Sequence, residues 1–219
     1  GGFSKDQFQN ISKEAMAGLD KDHIKNIDKA AMGGFSKDQF QNISKEAMAG
    51  LDKDHIKNID KAAMGGFSKD QFQNISKEAM AGLDKDHIKN INKEAMGGFS
   101  KDQFQKMGRE AMAGLDKDHI KNIGKEAMGG FTKGHFEKMP KTAMAGLDKD
   151  HIKNIGKEAM GGFSKDHFQN ISKEAMAGLD KDHIKNIDKA AMGGFSKDQF
   201  QNISKEAMAG LDKDHIKNI

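Results

Sequence analysis

The sequence predicts an all-α repeat solenoid made of short helices, one for each eight-residue unit. Every large apolar residue falls at position 1 or 6 of an eight-residue frame, the octad, which starts at Phe3 and continues without a shift to Ile219. Residues 1–32 and 33–64 are identical, which identifies a 32-residue duplication unit. Because a single octad has too little apolar surface to form a core alone, stability must come from the stacking of neighbouring units.

Each octad also contains residues that start and stop a helix. Position 2 is mostly Ser or Asp, as at Ser4, and these side chains accept hydrogen bonds from the free amides at a helix start. Position 4 is mostly acidic, which suits the positive end of a helix dipole. Position 8 is Asn or Gly almost throughout, and both readily adopt the left-handed backbone that ends many helices. We therefore expect about two helical turns per octad, then a bend with positive φ at Asn10, Gly18, Asn26 and Gly34.

A longer helix that spans two octads, such as 4–16, is the alternative for the local structure. Its middle would contain Gly108, Gly124, Gly156 or Pro140 in the octads that diverge. Glycine costs about 1 kcal/mol and proline about 3 kcal/mol inside a helix, but both are tolerated at a helix entrance. These substitutions favour one short helix per octad.

The apolar positions predict the core. Positions 1 and 6 lie just before the helix cap and four residues into the helix, which is the geometry of a hydrophobic staple. Lysine fills position 3 in every octad except at Arg109, and we expect this position to be exposed. The predicted core of the first 32 residues, repeated in the copies, is Phe3, Phe8, Ile11, Met16, Leu19, Ile24, Ile27 and Met32.

Alternate octads differ in chemistry, and this difference suggests how the chain coils. Odd octads, which begin at Phe3, Leu19 and every sixteenth residue after each, have polar residues at positions 5 and 7. Even octads, which begin at Ile11, Ile27 and so on, have small residues there. We expect two octads (16 residues) per coil, although four octads per coil also fits the sequence.

A two-octad coil would place the polar octads on one side and the small residues on the other. Gln7, Gln9, His23 and Lys25 would then face water. The opposite, smooth side is a candidate face for self-association, because small residues allow backbones to approach closely; its first members are Ala15, Ala17, Gly18, Ala31, Gly33 and Gly34.

The domain organisation predicted is a single continuous repeat array over 1–219, cut from a longer polypeptide. Its most divergent repeats lie at about 104–142. There the chain substitutes Lys106, Met107, Gly108, Arg109, Gly134, Lys138 and Pro140. Since the apolar frame never slips, we expect the same superhelix with weaker helix caps in this stretch.

Composition excludes several classes of protein. The net charge is +3 from 36 basic and 33 acidic residues, so the electrostatic footprint of a nucleic-acid-binding protein is missing. Cysteine is absent, which rules out disulfides and thiolate metal sites. The sequence contains no apolar run of membrane-spanning length. We expect neither a nucleic-acid partner nor membrane insertion.

Histidine recurs every 32 residues and could form a ladder for Zn²⁺ or Cu²⁺. Glutamine at the same octad position, as at Gln7 and Gln39, favours a simpler interpretation as a solvated polar face. The Asp-Lys-Asp triplets lack the glycine and distant glutamate of an EF-hand loop. We expect no metal, no cofactor and no catalysis. The histidines of the ladder are His23, His55, His87, His119, His151, His183 and His215, with His135 and His167 at the same position in other octads.

The octad pattern resembles octapeptide repeats of the Leu-Thr-Pro-Glu-Gln-Ile-Ala-Ala type. The shared features are the spacing of the apolar pair, the hydroxyl or Asx residue at position 2 and the acid at position 4. The segment 139–142, Met-Pro-Lys-Thr, also places a proline near a helix entrance. Such repeats occur in very large secreted or surface proteins of bacteria, including cyanobacterial cell-surface motility proteins. The resemblance implies an extracellular or cell-surface structural role.

Taken together, these features predict a structural protein that forms a filament, spacer or sheath and associates with itself. The alternative is a helical-repeat scaffold that binds a protein or peptide on its concave surface. Binding arrays vary their surface from repeat to repeat, whereas the surface here is nearly constant. Constancy favours the structural role.

Overall fold

The structure is a computed structural model that describes residues 2–219. The described residues are all helical, without strands, and they confirm the prediction of a repeat solenoid with one short helix per octad. None of these helices has the length and apolar character needed to cross a bilayer. The chain divides into two compact units, Gly1–Gly114 and Leu115–Ile219, which are built in the same way. A single uninterrupted array over 1–219 stays a prediction.

Odd octads form α-helices of about one and a half turns. In the first unit they span Lys5–Gln9, Lys21–Lys25, Lys37–Gln41, Lys53–Asn58, Lys69–Asn74, Lys85–Asn90 and Lys101–Lys106. In the second unit they span Lys117–Asn122, Lys133–Lys138, Lys149–Asn154, Lys165–Asn170, Lys181–Asn186, Lys197–Gln201 and Lys213–Ile216.

Even octads form 3₁₀-helices, with the α-helix Lys205–Met208 as an exception near the end of the chain. In the first unit they span Lys13–Gly18, Lys29–Gly34, Glu46–Gly50, Lys61–Gly66, Lys77–Gly82, Lys93–Gly98 and Arg109–Gly114. In the second unit they span Lys125–Gly130, Lys141–Gly146, Lys157–Gly162, Ala175–Gly178 and Lys189–Gly194.

The caps explain where the helices of the odd octads begin and end. The Ser68 hydroxyl accepts a hydrogen bond from the backbone amide of Gln71. The side-chain oxygen of Gln71 accepts one from the backbone amide of Ser68, and the two bonds form a capping box. Asn74 then ends the helix by donating its side-chain amide to the carbonyl of Asp70 at 2.9 Å. Even octads have alanine at position 5, which cannot complete the box, and form the tighter 3₁₀-helix instead.

The bends do not use the left-handed backbone that the sequence predicted. No described residue has positive φ, and Asn10 and Asn26 both remain in the right-handed region. The chain turns through two extended residues at positions 1 and 2 instead, such as Leu19 (ψ 134°) and Asp20 (ψ 179°). The prediction of positive φ at Asn10, Gly18, Asn26 and Gly34 was therefore wrong, although the positions of the bends were right.

Within each unit, octads that lie three apart in the chain pack against each other. The α-helix Lys53–Asn58 lies between the 3₁₀-helices Lys29–Gly34 and Lys77–Gly82, and the other octads follow the same rule. Hydrogen bonds between turns join residues 23 to 31 positions apart. A turn thus contains about three octads, so the predicted two-octad, 16-residue coil was wrong, and so is the four-octad alternative. Because three is odd, α-helices and 3₁₀-helices alternate along every stack.

Glycine at position 8 of the even octads is needed for this stacking. A Cβ on Gly82 would lie 2.2 Å from the carbonyl oxygen of Lys53 and 2.9 Å from the Cβ of Ile56. Gly50 and Gly66 approach Lys21 and Lys37 at the same distance. Glycine at this position therefore serves close packing between turns, not a left-handed helix end.

The core consists of positions 1 and 6, as the sequence predicted, with the alanines at position 5 of the even octads added. Phe8, Met16, Ile24, Ile27 and Met32 are buried. The remaining core residues of the first turn are Phe3, which is exposed, and Ile11 and Leu19, which are half-buried. In the turns between the first and the last, the same positions are buried because neighbouring turns cover them, whereas Ile216 and Ile219 of the last turn are exposed.

Phenylalanine rings form a continuous ladder through the core. In the first unit, Phe35 contacts Phe8 of the preceding turn with ring centroids 4.4 Å apart and Phe40 of its own octad at 5.3 Å. The contacts continue to Phe99. Rings at these separations contribute about 1 kcal/mol per pair beyond their burial.

The divergent repeats have weaker helix caps, as expected. Gly124 and Pro140 begin their 3₁₀-helices without a side-chain cap, whereas Asp60 caps the equivalent helix through the Ala62 amide at 2.9 Å. Pro140 fits because position 2 of the other even octads already has φ near the proline value, as at Asp60 with −60°.

We predict that backbone amides in 104–142 exchange their hydrogens a few times faster than those in 33–64, because a lost cap costs up to about 1 kcal/mol. Hydrogen exchange resolved by mass spectrometry measures the difference. Equal protection in the two segments would contradict the prediction.

Candidate functional site

The polar side chains at position 5 of the odd octads are buried between the turns. His55, His87 and His151 are fully buried, and Gln39 and Gln71 are 3% exposed. Only the first turn leaves this position exposed, at Gln7 and His23, because no described turn precedes it. The expectation that position 5 faces water was therefore wrong, whereas position 7, with Gln9 and Lys25, is exposed as expected.

Each buried histidine joins its own helix cap to the preceding turn. In His55, Nδ1 lies 3.1 Å from the Asp52 amide nitrogen, and Nε2 lies 3.0 Å from the carbonyl oxygen of Ile27. A carbonyl can only accept a hydrogen bond, so Nε2 must carry the proton and Nδ1 must accept from the Asp52 amide. The ring is thereby fixed in one neutral tautomer.

Glutamine satisfies the same requirements in most of the octads that begin with phenylalanine; the octads from Phe131 and Phe163 have His135 and His167 instead. The Gln71 Oε1 accepts the Ser68 amide at 2.8 Å, and Nε2 donates to the carbonyls of Phe40 and Ile43 at 2.8 Å. Every odd octad has either Gln or His at position 5. These side chains can donate and accept at once, and this restriction was the sequence signal for a buried hydrogen-bonding role.

A lysine from the preceding turn completes a cluster around several of these histidines. The Lys61 ammonium lies 2.9 Å from the Asp84 carboxylate and 2.9–3.2 Å from the two ring nitrogens of His87. It therefore packs against the ring instead of bonding to one nitrogen. The clusters that recur at 32-residue intervals within the two units are Lys29–Asp52–His55, Lys61–Asp84–His87, Lys125–Asp148–His151, Lys157–Asp180–His183 and Lys189–Asp212–His215.

These lysines are less exposed than those elsewhere at position 3, where full exposure was predicted. Lys61 has 38% of its side chain exposed, against 59% for Lys141, which pairs with Asp166. Exposed ion pairs of this kind each contribute little, about 0–1 kcal/mol. The main effect of the clusters is electrostatic, because each holds a lysine ammonium and an aspartate carboxylate close to the imidazole.

The electrostatics of the cluster around His87 favour the neutral form of this histidine and the ionised form of Asp84. Burial lowers the pKa of His87, and the charge of Lys61 lowers it further, against the opposing effect of Asp84. Partial burial would raise the pKa of Asp84. Hydrogen bonds from the His87 amide and from Lys61 overcome this effect and hold the pKa of Asp84 at about 2.

The histidine ladder is not arranged as a metal site. Both ring nitrogens of the buried histidines are occupied by backbone groups, so neither offers a free lone pair. Throughout residues 2–219, no three His, Asp or Glu side chains come together in a way that would hold a metal ion.

The small residues proposed as an assembly face are divided between two environments. Ala31 and Gly34 are buried against neighbouring turns, and Gly33 is half-buried. Ala15, Ala17 and Gly18 are exposed in the first turn, but later copies of Ala15 are buried. The α-helices and 3₁₀-helices alternate on every stack, so the octads do not separate into a polar side and a smooth side.

A shallow groove recurs at the Gly-Gly corners that lead into the phenylalanine octads. In the first unit it has a volume of about 440 Å³ and lies between Gly33–Lys37 and Ala62. The second unit has equivalent grooves of about 470 and 450 Å³ next to Gly161 and Gly193. The grooves are open, and glycine, alanine and phenylalanine line them together with polar residues such as Ser36 and Asp60.

Comparison with known proteins gives no relative from which a function could be transferred. No protein-family model matches the chain, and no curated protein is significantly similar to it. The geometry of the repeats is therefore the basis for a functional proposal.

Proposed function

We propose that the protein is a non-enzymatic structural array that acts as a spacer, filament or sheath element at the cell surface or outside the cell. The observation that carries this proposal is that buried position-5 side chains, such as His55 and Gln71, bind one turn to the next. No buried side-chain nitrogen or oxygen in the described residues lacks a hydrogen-bond partner. Because its buried polar side chains bond neighbouring turns to each other, the chain is suited to forming an array that lengthens as turns are added.

Self-association is the second part of the proposal. Within residues 2–219, the large apolar side chains that are exposed belong to the first and last turns, namely Phe3, Ile216 and Ile219. The outer surfaces of the turns between the first and the last expose mainly lysine, aspartate, serine and glutamate. We therefore propose that copies of the chain associate along these surfaces, which recur from turn to turn, in place of the smooth lateral face expected from the sequence.

Negative-stain images of the purified chain, and of variants lengthened by one or two 32-residue units, test the structural role. We expect narrow particles that lengthen in proportion to the added units and associate along their length at high concentration. Particles whose width grows with chain length would contradict the spacer role. Particles that stay single at every concentration would contradict self-association alone.

The recurring corner groove supports a second candidate function, a scaffold that binds a peptide or protein at repeated sites. Because the grooves are alike, a partner with several binding segments would gain avidity along the array. Selection of displayed peptides against the chain tests this function. The variant Ala62→Arg/Ala190→Arg, which fills two grooves from exposed positions, is the matched control and should lose binding.

A further inference from the structure

The contacts of His151 show what would happen if a buried histidine took up a second proton. Its helix, Lys149–Asn154, packs between the 3₁₀-helices Lys125–Gly130 and Ala175–Gly178. From the first of these, Lys125 places its ammonium 3.1–3.2 Å from the two ring nitrogens. The second, Ala175–Gly178, contains no charged residue.

The octad of His151 itself supplies the opposing charges. The carboxylate of Asp148 lies 3.0 Å from Nδ1, and Asp150 lies in the first turn of the same helix. Asp148 also accepts the ammonium of Lys125, which offsets part of its negative charge. The ring is therefore next to one cation and one carboxylate that is already paired, and it is fully removed from water.

A second proton would have to bind Nδ1, where the backbone amide of Asp148 already donates at 3.1 Å. Two donors would then face each other, and the capping box would open. Burial lowers the pKa of His151, and Lys125 lowers it further, while the carbonyl of Ile123 and Asp148 raise it. The pKa values of His87 and His183 are lowered as well, first of all by burial.

The sign of the effect on stability follows from these directions. The unfolded chain binds a proton at His87, His151 and His183 below about pH 6.5, while the folded chain binds it at these residues only at lower pH. The unfolded state therefore holds more protons in this window, and stability falls as the pH falls. The effects add, because three buried histidines at this position have a lowered pKa: His87, His151 and His183.

We propose that the buried histidines make the stacked turns an acid-sensitive structure, which is stable at neutral pH and separates when its surroundings become mildly acidic. Each histidine is a bond between adjacent turns, so its loss opens the array at the interface that holds it together. Repetition makes the response steeper than that of a single histidine, because neighbouring turns depend on each other.

The triple variant His87→Gln/His151→Gln/His183→Gln tests the proposal. Glutamine makes the same capping and carbonyl bonds at Gln71 and does not titrate. We expect the urea midpoint of the original chain, followed by far-UV circular dichroism, to fall clearly between about pH 7.5 and about pH 5. The midpoint of the triple variant should fall markedly less.

His23→Gln is the matched control, since the His23 ring is exposed and its Nε2 contacts no carbonyl of a preceding turn. Its pH profile should follow that of the original chain. If the triple variant and the original chain lose stability in parallel, the proposal is wrong.

A second measurement keeps the proposal testable if the triple variant fails to fold. Nuclear magnetic resonance of the histidine rings in the original chain should show neutral buried rings at about pH 6, with charged rings appearing only together with unfolding. Buried rings that become charged while the fold persists would overturn the proposal.

Discussion

Replacing Gly82 with alanine is expected to destabilise the first unit by about 3 kcal/mol. The added methyl group would lie 2.2 Å from the backbone oxygen of Lys53 and 2.9 Å from the Cβ of Ile56. Neither neighbour is the free end of a flexible side chain, so the two turns would have to move apart. Overpacking of this kind usually costs about 1–3 kcal/mol, and contact with the backbone places it at the upper end.

Gly124→Ala is the matched control for this prediction. No atom lies within 4 Å of the Cβ position of Gly124, and its φ of −60° and ψ of 138° suit alanine. This substitution should be neutral, or stabilising by up to about 1 kcal/mol, because it restricts the unfolded chain. Urea unfolding measures both variants. Equal midpoints for the two would show that the close approach at Gly82 has no role in stability.

Deleting one octad is expected to damage the array more than deleting two. Removal of 75–82 would place the octad that ends at Asn90 on the helix Lys53–Asn58. The asparagine would then occupy the position of Gly82, against the carbonyl of Lys53. An α-helix would lie on an α-helix, and a 3₁₀-helix on a 3₁₀-helix, at each contact across the junction.

Removal of 75–90 restores the alternation, because Gly98 then takes the position of Gly82. We expect this 16-residue deletion to retain cooperative unfolding, with a urea midpoint close to that of the original chain. The 8-residue deletion should lower the midpoint strongly and expose amides near the junction to hydrogen exchange. A larger loss in the 16-residue deletion than in the 8-residue deletion would mean that octads do not depend on alternating neighbours.

The pH dependence has a second component at lower pH, due to the aspartates of the clusters. The pKa values of Asp84 and Asp180 are about 2, held there by hydrogen bonds and charges that outweigh partial burial. Because these values lie below the ordinary value of 3.8, the aspartates stabilise the fold above that pH and lose this effect as the pH falls towards 2. We expect this loss in the original chain and in the histidine variants alike.

The sequence contains enough information to predict where each short helix begins and which positions form the core. Caps such as Ser68, and the apolar residues at positions 1 and 6, act within one octad, so their roles follow from their spacing. The number of octads in a turn depends on how distant octads fit together. The same octad pattern suits two, three or four octads per turn, and this explains why the prediction of two was wrong.

The errors in the candidate site follow from the same cause. His87 and Gln71 were expected to face water because polar residues usually do. A turn of three octads brings the carbonyls of Ile59, Phe40 and Ile43 over these side chains and makes burial favourable. Glycine at position 8 was correctly predicted to lie at a bend. The predicted reason, a left-handed backbone, was wrong, because the glycine is needed where it packs against the backbone of another turn.

The mismatch between a turn of three octads and a sequence repeat of four octads has a consequence for evolution. Within a unit, each 32-residue copy of a motif falls one stack further round than the copy before it. A mutation that spreads by duplication is therefore distributed over all three stacks in rotation, never as a stripe along one of them. A one-sided binding surface would require a repeat of 24 or 48 residues, or independent changes in separate copies. Duplication of the 32-residue repeat therefore lengthens the array while its three stacks stay alike in sequence.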